Sequence, residues 1–120
     1  MMRASVLLVA LAVLTLTPLE ASAHAELDRA NPRVGSTVPT APRELSLWFT
    51  ESIEPAFSTV EVRNAAGARV DQGRARRGAT PNLLQVGLKA LPPGTYQVRW
   101  RVLSVDTHRT EGSFSFQVRQ

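Results

Sequence analysis

Between residues 45 and 118 apolar and polar side chains alternate in short runs, and that period of two restricts the chain to sheet. Leu45, Leu47 and Phe49 alternate with Ser46, Trp48 and Thr50. Val60 and Val62 alternate with Glu61 and Arg63; a turn at Asn64–Gly67 follows, and Val70 resumes a short strand. Leu84, Val86 and Leu88 are set against Gln85, Gly87 and Lys89. The longest run carries Tyr96, Val98, Trp100 and Val102, and the last carries Phe114, Phe116 and Val118. Successive strand side chains point to opposite faces, so each run buries one face and wets the other. No stretch holds a helical period for three turns. Short strands punctuated by Pro and Gly predict an all-β fold, an immunoglobulin-like Greek-key β-sandwich. Within it, Leu91-Pro92-Pro93-Gly94-Thr95-Tyr96 has the pattern of a tyrosine corner, in which the phenol bonds back to upstream backbone. Gly73–Pro81 is polar and Arg-rich and reads as an exposed loop, and Trp48, opposite in parity to Leu47 and Phe49, reads as an aromatic on the outer sheet face.

Residues 1–23 are set apart from that pattern. Met1-Met2-Arg3 is a positive start, Val6–Leu16 is apolar, and Pro18–Ala23 ends in Ala21-Ser22-Ala23. This is the form of a secretory signal peptide cleaved after Ala23. The apolar run is shorter than the roughly 20 residues needed to cross a bilayer. Residues 24–120 then form one domain, enough for a single core. A second small-x-small triplet, Ala23-His24-Ala25, marks an alternative cut that would remove His24; the first cut leaves the more ordinary small-residue end and is the one expected.

Export gives two constraints. The chain has no cysteine, so no disulfide supports the core and no thiolate serves redox or zinc chemistry. Its only methionines, Met1 and Met2, lie in the leader, so the processed chain has no sulfur ligand at all. The net charge of +4 comes mostly from Arg scattered along the chain; without a basic helix or an aromatic RNA-binding motif, nucleic acid is not an expected partner. Arg74, Arg76 and Arg77 form a small basic cluster, read as a solvated loop in preference to a lipid or protein contact.

There are two histidines, His24 and His108. Cleavage after Ala23 makes His24 the first residue, where its α-amine and imidazole Nδ1 close a chelate around one ion. An α-amine has a pKa near 8, so proton competition at neutral pH is modest. Asp106 and His108 are two residues apart; in an extended chain both leave one face about 6.6 Å apart and converge on an ion. The set offers three nitrogens and a carboxylate oxygen. Such donors suit Cu(II) or Ni(II), with copper highest in the divalent affinity order, whereas zinc favours a tetrahedron and Cu(I) favours sulfur. The expectation is one Cu(II) per chain on His24, Asp106 and His108. Glu26 is a candidate partner behind the ligands.

At these residues the sequence resembles the CopC family of periplasmic copper-resistance proteins. The resemblance starts at His24-Ala25-Glu26-Leu27 and continues through Asn31-Pro32-Arg33-Val34-Gly35-Ser36 and Leu45–Glu51. It includes Leu91–Ser104, Asp106-Thr107-His108 and Gly112-Ser113-Phe114-Ser115-Phe116. It implies a β-sandwich binding copper in the periplasm, with the amine and imidazole of His24, Asp106 and His108 as Cu(II) ligands and an inner-membrane copper importer as a candidate partner. Members commonly carry Gly between the Asp and the His, where this chain has Thr107. Some carry a Met-rich Cu(I) site, for which residues 24–120 have no methionine.

Two other functions fit parts of the sequence. Copper on an N-terminal His also occurs in polysaccharide-oxidising monooxygenases, which are larger and use two imidazoles besides the amine; a carboxylate ligand here favours Cu(II) and disfavours redox cycling. A plain immunoglobulin-like interaction domain would leave both histidines incidental. Neither a G-x-S-x-G motif nor carboxylates paired for acid–base work are present, and no catalytic residue is expected. A monomer suffices for every one of these readings.

Overall fold

The computed structural model describes residues 25–120 together with Ala10 and Ala12, so the leader reading and His24 lie outside the described residues. The described residues form eight strands: β1 (Leu27–Asn31), β2 (Thr37–Val38), β3 (Glu44–Phe49), β4 (Thr59–Arg63), β5 (Asp71–Arg77), β6 (Leu83–Leu88), β7 (Gly94–Leu103) and β8 (Arg109–Val118). One 3-10 turn, Pro55–Phe57, lies between β3 and β4. The strands make two four-stranded sheets, ordered β1-β3-β6-β5 and β2-β8-β7-β4. The chain crosses between sheets after β1, β2, β3, β4 and β6, the Greek-key wiring of a sandwich. All named pairs are antiparallel except β2 with β8.

The alternating runs supply the core. Leu45, Leu47 and Phe49 face inward from one sheet, and Val98, Trp100, Val102, Phe114 and Phe116 from the other. Phe49 of β3 meets Trp100 of β7 edge to face, centroids 5.2 Å apart at 75°, a contact joining the two sheets. Gly112 is opposite Trp100 in the register, and a Cβ there would fall 2.5 Å from the indole Cζ2. Glycine at that position is therefore what lets the ring lie against β8.

Tyr96 begins its strand as the sequence suggests. It is buried, stacks on Phe116 at 5.5 Å, and donates its hydroxyl to the carbonyl of Pro92. Burial pushes the phenol pKa up, so the donor keeps its proton. The tyrosine corner is thus formed.

One local expectation is corrected. The Arg-rich segment is not a loop: residues up to Arg77 pair with β6, with a bulge between Gln72 and Arg76, and Arg76 forms an ion pair with Glu44. Its polarity reflects an edge strand with little buried area rather than the absence of one. Trp48 does lie on the outer face, but Arg29 of β1 places its guanidinium 4.0 Å from the ring centroid.

The β4-to-β5 crossover is pinned by Asp71, whose side chain is 4% exposed. Its Oδ1 accepts from the Val62 amide (2.9 Å) and from Arg69 Nε (2.9 Å), and its Oδ2 from Arg69 Nη2 (2.7 Å). Burial works against the ionised form, but the Arg69 and Val62 hydrogen bonds outweigh it and hold the carboxyl below its ordinary value.

Two stability predictions follow from these contacts. Tyr96→Phe should cost about 1 kcal/mol in urea unfolding, the value of one hydrogen bond; no loss would mean the corner bond contributes nothing. Asp71→Ala should cost about 1–3 kcal/mol at pH 7, because Val62 N–H loses its acceptor. Since the folded pKa is depressed, the carboxylate's contribution is present above its unfolded value near 3.9 and is lost as pH falls through the folded value. The gap between wild type and Asp71→Ala should therefore narrow from pH 5 toward pH 2, and a pH-independent gap would contradict the linkage.

Candidate metal centre

The longest strand pair ends at Leu103 opposite Arg109, and Ser104–His108 close the hairpin. These five residues do not continue the ladder. Ser104 N–H donates to His108 O (3.0 Å) and Thr107 N–H to Ser104 O (2.9 Å), which makes a tight turn. Thr107 takes φ 72°, the left-handed region that a β-branched residue adopts at a cost. Gly at this position would be unstrained, whereas Thr107 holds the left-handed backbone with a β-branched side chain.

The turn is tied to the rest of the sandwich. Val105 N–H donates to Ser52 O (3.0 Å), Glu54 N–H to Leu103 O (2.9 Å), and Leu103 N–H to Ser58 Oγ (3.0 Å). Arg109 Nη1 reaches Phe57 O at 3.3 Å.

Asp106 and His108 come together, though not in the way an extended chain would bring them. The turn folds them onto each other, with Asp106 Oδ2 3.3 Å from His108 Nδ1. Both side chains stay open to solvent, 38% and 50% exposed, and so within reach of an incoming ion. Asp106 Oδ1 accepts from the Ser104 hydroxyl and, at 3.4 Å, from the His108 amide. The Ser104 bond, followed by contacts to His108, holds the Asp106 carboxyl below its ordinary value, so it is an anion at neutral pH.

Beside this turn lies Ala25, the residue that follows His24 in the sequence. Ala25 is fully buried, and its carbonyl accepts from Thr110 Oγ1 (2.6 Å), two residues beyond His108. Glu26 pairs through its backbone with Thr50, donating to Oγ1 (2.9 Å) and accepting from the Thr50 amide (2.8 Å). The chain is thus fastened beside the turn from its first continuous described residue. Among the described residues no three His, Asp or Glu side chains converge as a metal cluster; Asp106 and His108 form a pair. Ser104, Thr110 and Thr50 did not emerge from the sequence reading. Ser104 has one local signal, a hydroxyl two residues before an Asp, as in side-chain-capped turns.

The fold and this pair define a small two-sheet β-sandwich with a carboxylate–imidazole site on one end hairpin. The family model described as the CopC domain matches residues 27–119. Protein YobA of Escherichia coli (strain K12) is 34% identical over 114 residues, 92% of each chain. Copper resistance protein C of Xanthomonas campestris pv. juglandis is 34% identical over 112 residues, 88% of this chain and 87% of that one. The crystal structure of CopC from Methylosinus trichosporium OB3b superposes with a TM-score of 0.75 at 33% identity, covering 80% of this chain and 94% of that one. The chain belongs to the CopC family, as the motifs along its sequence suggest.

Thr107→Gly should remove about 1–2 kcal/mol of left-handed strain against a chain-entropy cost of about 0.5–1 kcal/mol. A net gain of about 0.5 kcal/mol in urea unfolding is expected from that difference. A loss of 1 kcal/mol or more would show instead that the Thr107 side chain, whose hydroxyl donates to Asp106 O at 2.6 Å, stabilises the turn.

Proposed function

We propose that this protein is an exported copper-homeostasis protein that takes up one Cu(II) ion through the His24 amine and imidazole, Asp106 and His108. Copper is its cargo, and the reading assigns it no catalytic residue. The observation that carries it is the Asp106–His108 pair, 3.3 Å apart on a solvent-open turn, with Ala25 fastened to β8 two residues past His108. One peptide step separates consecutive Cα atoms by 3.80 Å, so a chain start at His24 brings its amine to the same end of the sandwich. Nitrogen-rich donors with one carboxylate and no sulfur favour Cu(II) over Cu(I). The copper-resistance relative supports copper as the cargo.

The place of action is the periplasm, reached through the leader of residues 1–23. The protein works there as a single chain that sequesters copper or passes it to an inner-membrane importer.

The exported, naturally processed protein should have a mass that starts at His24 and bind one Cu(II) per chain with a nitrogen-rich tetragonal electron paramagnetic resonance spectrum. His24→Ala and His108→Ala should each weaken Cu(II) by at least about tenfold, or 1.4 kcal/mol. A chain starting at Glu26 without stoichiometric copper, or tighter binding of Cu(I) than of Cu(II) in chelator competition, would sink this reading.

A further inference from the structure

We propose that Ser104 is a positioning residue for the metal centre, its hydroxyl holding the Asp106 carboxylate in the plane that sets Oδ2 against the His108 ring. The inference rests on the copper reading above and extends it to a residue that supplies no ligand atom.

Ser104 is 1% exposed, while Val105 beside it is 51% exposed and Asp106 and His108 are open to solvent. A hydroxyl that deep needs a partner. It donates to Asp106 Oδ1, and Oγ also lies 3.2 Å from His108 O. The backbone carrying it is fixed independently: its amide and carbonyl close the turn on His108 and Thr107, and it bridges to Ile53, which is fully buried. The hydroxyl is therefore anchored to the core, whereas the carboxylate is not.

An Asp side chain has only two torsions. Without a fixed bond, an exposed Asp samples several staggered wells and a broad terminal rotation. Holding Oδ1 from Ser104 removes much of that freedom and leaves Oδ2 facing His108 Nδ1 at 3.3 Å. A metal ion entering there meets a carboxylate already aligned, with one oxygen committed to protein donors. Partners of this kind change metal affinity by about 10–100-fold when removed, because an orienting bond is worth most where the ligand is otherwise mobile.

A purely architectural Ser104 would stabilise the turn but would not act through Asp106. The two roles separate in a double-mutant cycle on the naturally processed protein, using Ser104→Ala, Asp106→Ala and the double variant. Each is read by Cu(II) affinity in chelator competition, by electron paramagnetic resonance, and by urea unfolding. Ser104→Ala should bind Cu(II) about tenfold more weakly than wild type and show altered parallel g and hyperfine values. It should cost no further affinity in the Asp106→Ala background, and Ser104→Thr, which keeps the hydroxyl, should restore the wild-type spectrum. If Ser104→Ala does not fold, Asp106→Glu moves the carboxylate off the hydroxyl from an exposed position and should show the same loss. Wild-type affinity and spectrum in Ser104→Ala (or in Asp106→Glu where it stands in), or equal losses with and without Asp106, would overturn the positioning role while leaving the copper reading intact. A wild-type protein that takes up no stoichiometric Cu(II) would overturn both.

Discussion

The ten-residue ladder between β7 and β8 is the constraint on which the rest of this structure depends. It runs in unbroken register from Gly94 opposite Val118 to Leu103 opposite Arg109. Its inner face supplies Tyr96, Val98, Trp100, Val102, Phe114 and Phe116, half of the wall against which the other sheet packs. Its far end supplies the turn that carries Asp106 and His108. Because register in a half-buried strand pair is fixed by which side chains face inward, a one-residue slip would put Trp100 and Val102 in water. Core packing and site geometry are therefore set by the same interaction. The site inherits the rigidity of the ladder, although its own side chains are half exposed.

A second consequence concerns the start of the domain. Ala25 bonds to Thr110 on β8, and Glu26 bonds to Thr50 at the end of β3. The first continuous segment is thus clipped to both sheets at the end where the β7–β8 turn lies. Chain termini are ordinarily loose unless tied down. Under the proposed chain start at His24, a segment clipped at this point loses its entropy on folding rather than on binding, which favours a ligand set that uses it.

How much of this was legible in the sequence depended on whether a strand buries a face. β3, β4, β6, β7 and β8 announce themselves because alternate residues must be apolar. β1 has the sequence Leu-Asp-Arg-Ala-Asn with only Ala30 buried, and β2 has two residues. Neither carries enough buried side chains to show a period. β5 is an edge strand whose outward residues are arginines, so composition suggested a loop where hydrogen bonding makes a strand. At the site, residue identity was readable and conformation was not. Asp106 and His108 were selected as chemical types, but the turn that unites them depends on Thr107 taking a positive φ, which no propensity for Thr would suggest. Ser104 was hidden for a related reason: its significance comes from being buried, and burial of a polar turn residue is decided by the bridge to Ile53 far along the chain.

The absence of cysteine and the character of the metal site are linked. A domain of this size without disulfides must derive its cohesion from apolar burial, and here the Phe49–Trp100 and Tyr96–Phe116 contacts and the fully buried Leu45, Val62, Val98 and Val102 fill the space between the sheets. In such a core a polar group is held only with its partners in place, as Asp71 and Ser104 are, because its desolvation is otherwise uncompensated. Asp106 and His108, the pair proposed to hold copper, lie instead at the hairpin end, where water solvates them. A site of that kind is open to exchange and rigid in its backbone. Those two properties together are what the proposed uptake of an ion by this hairpin requires.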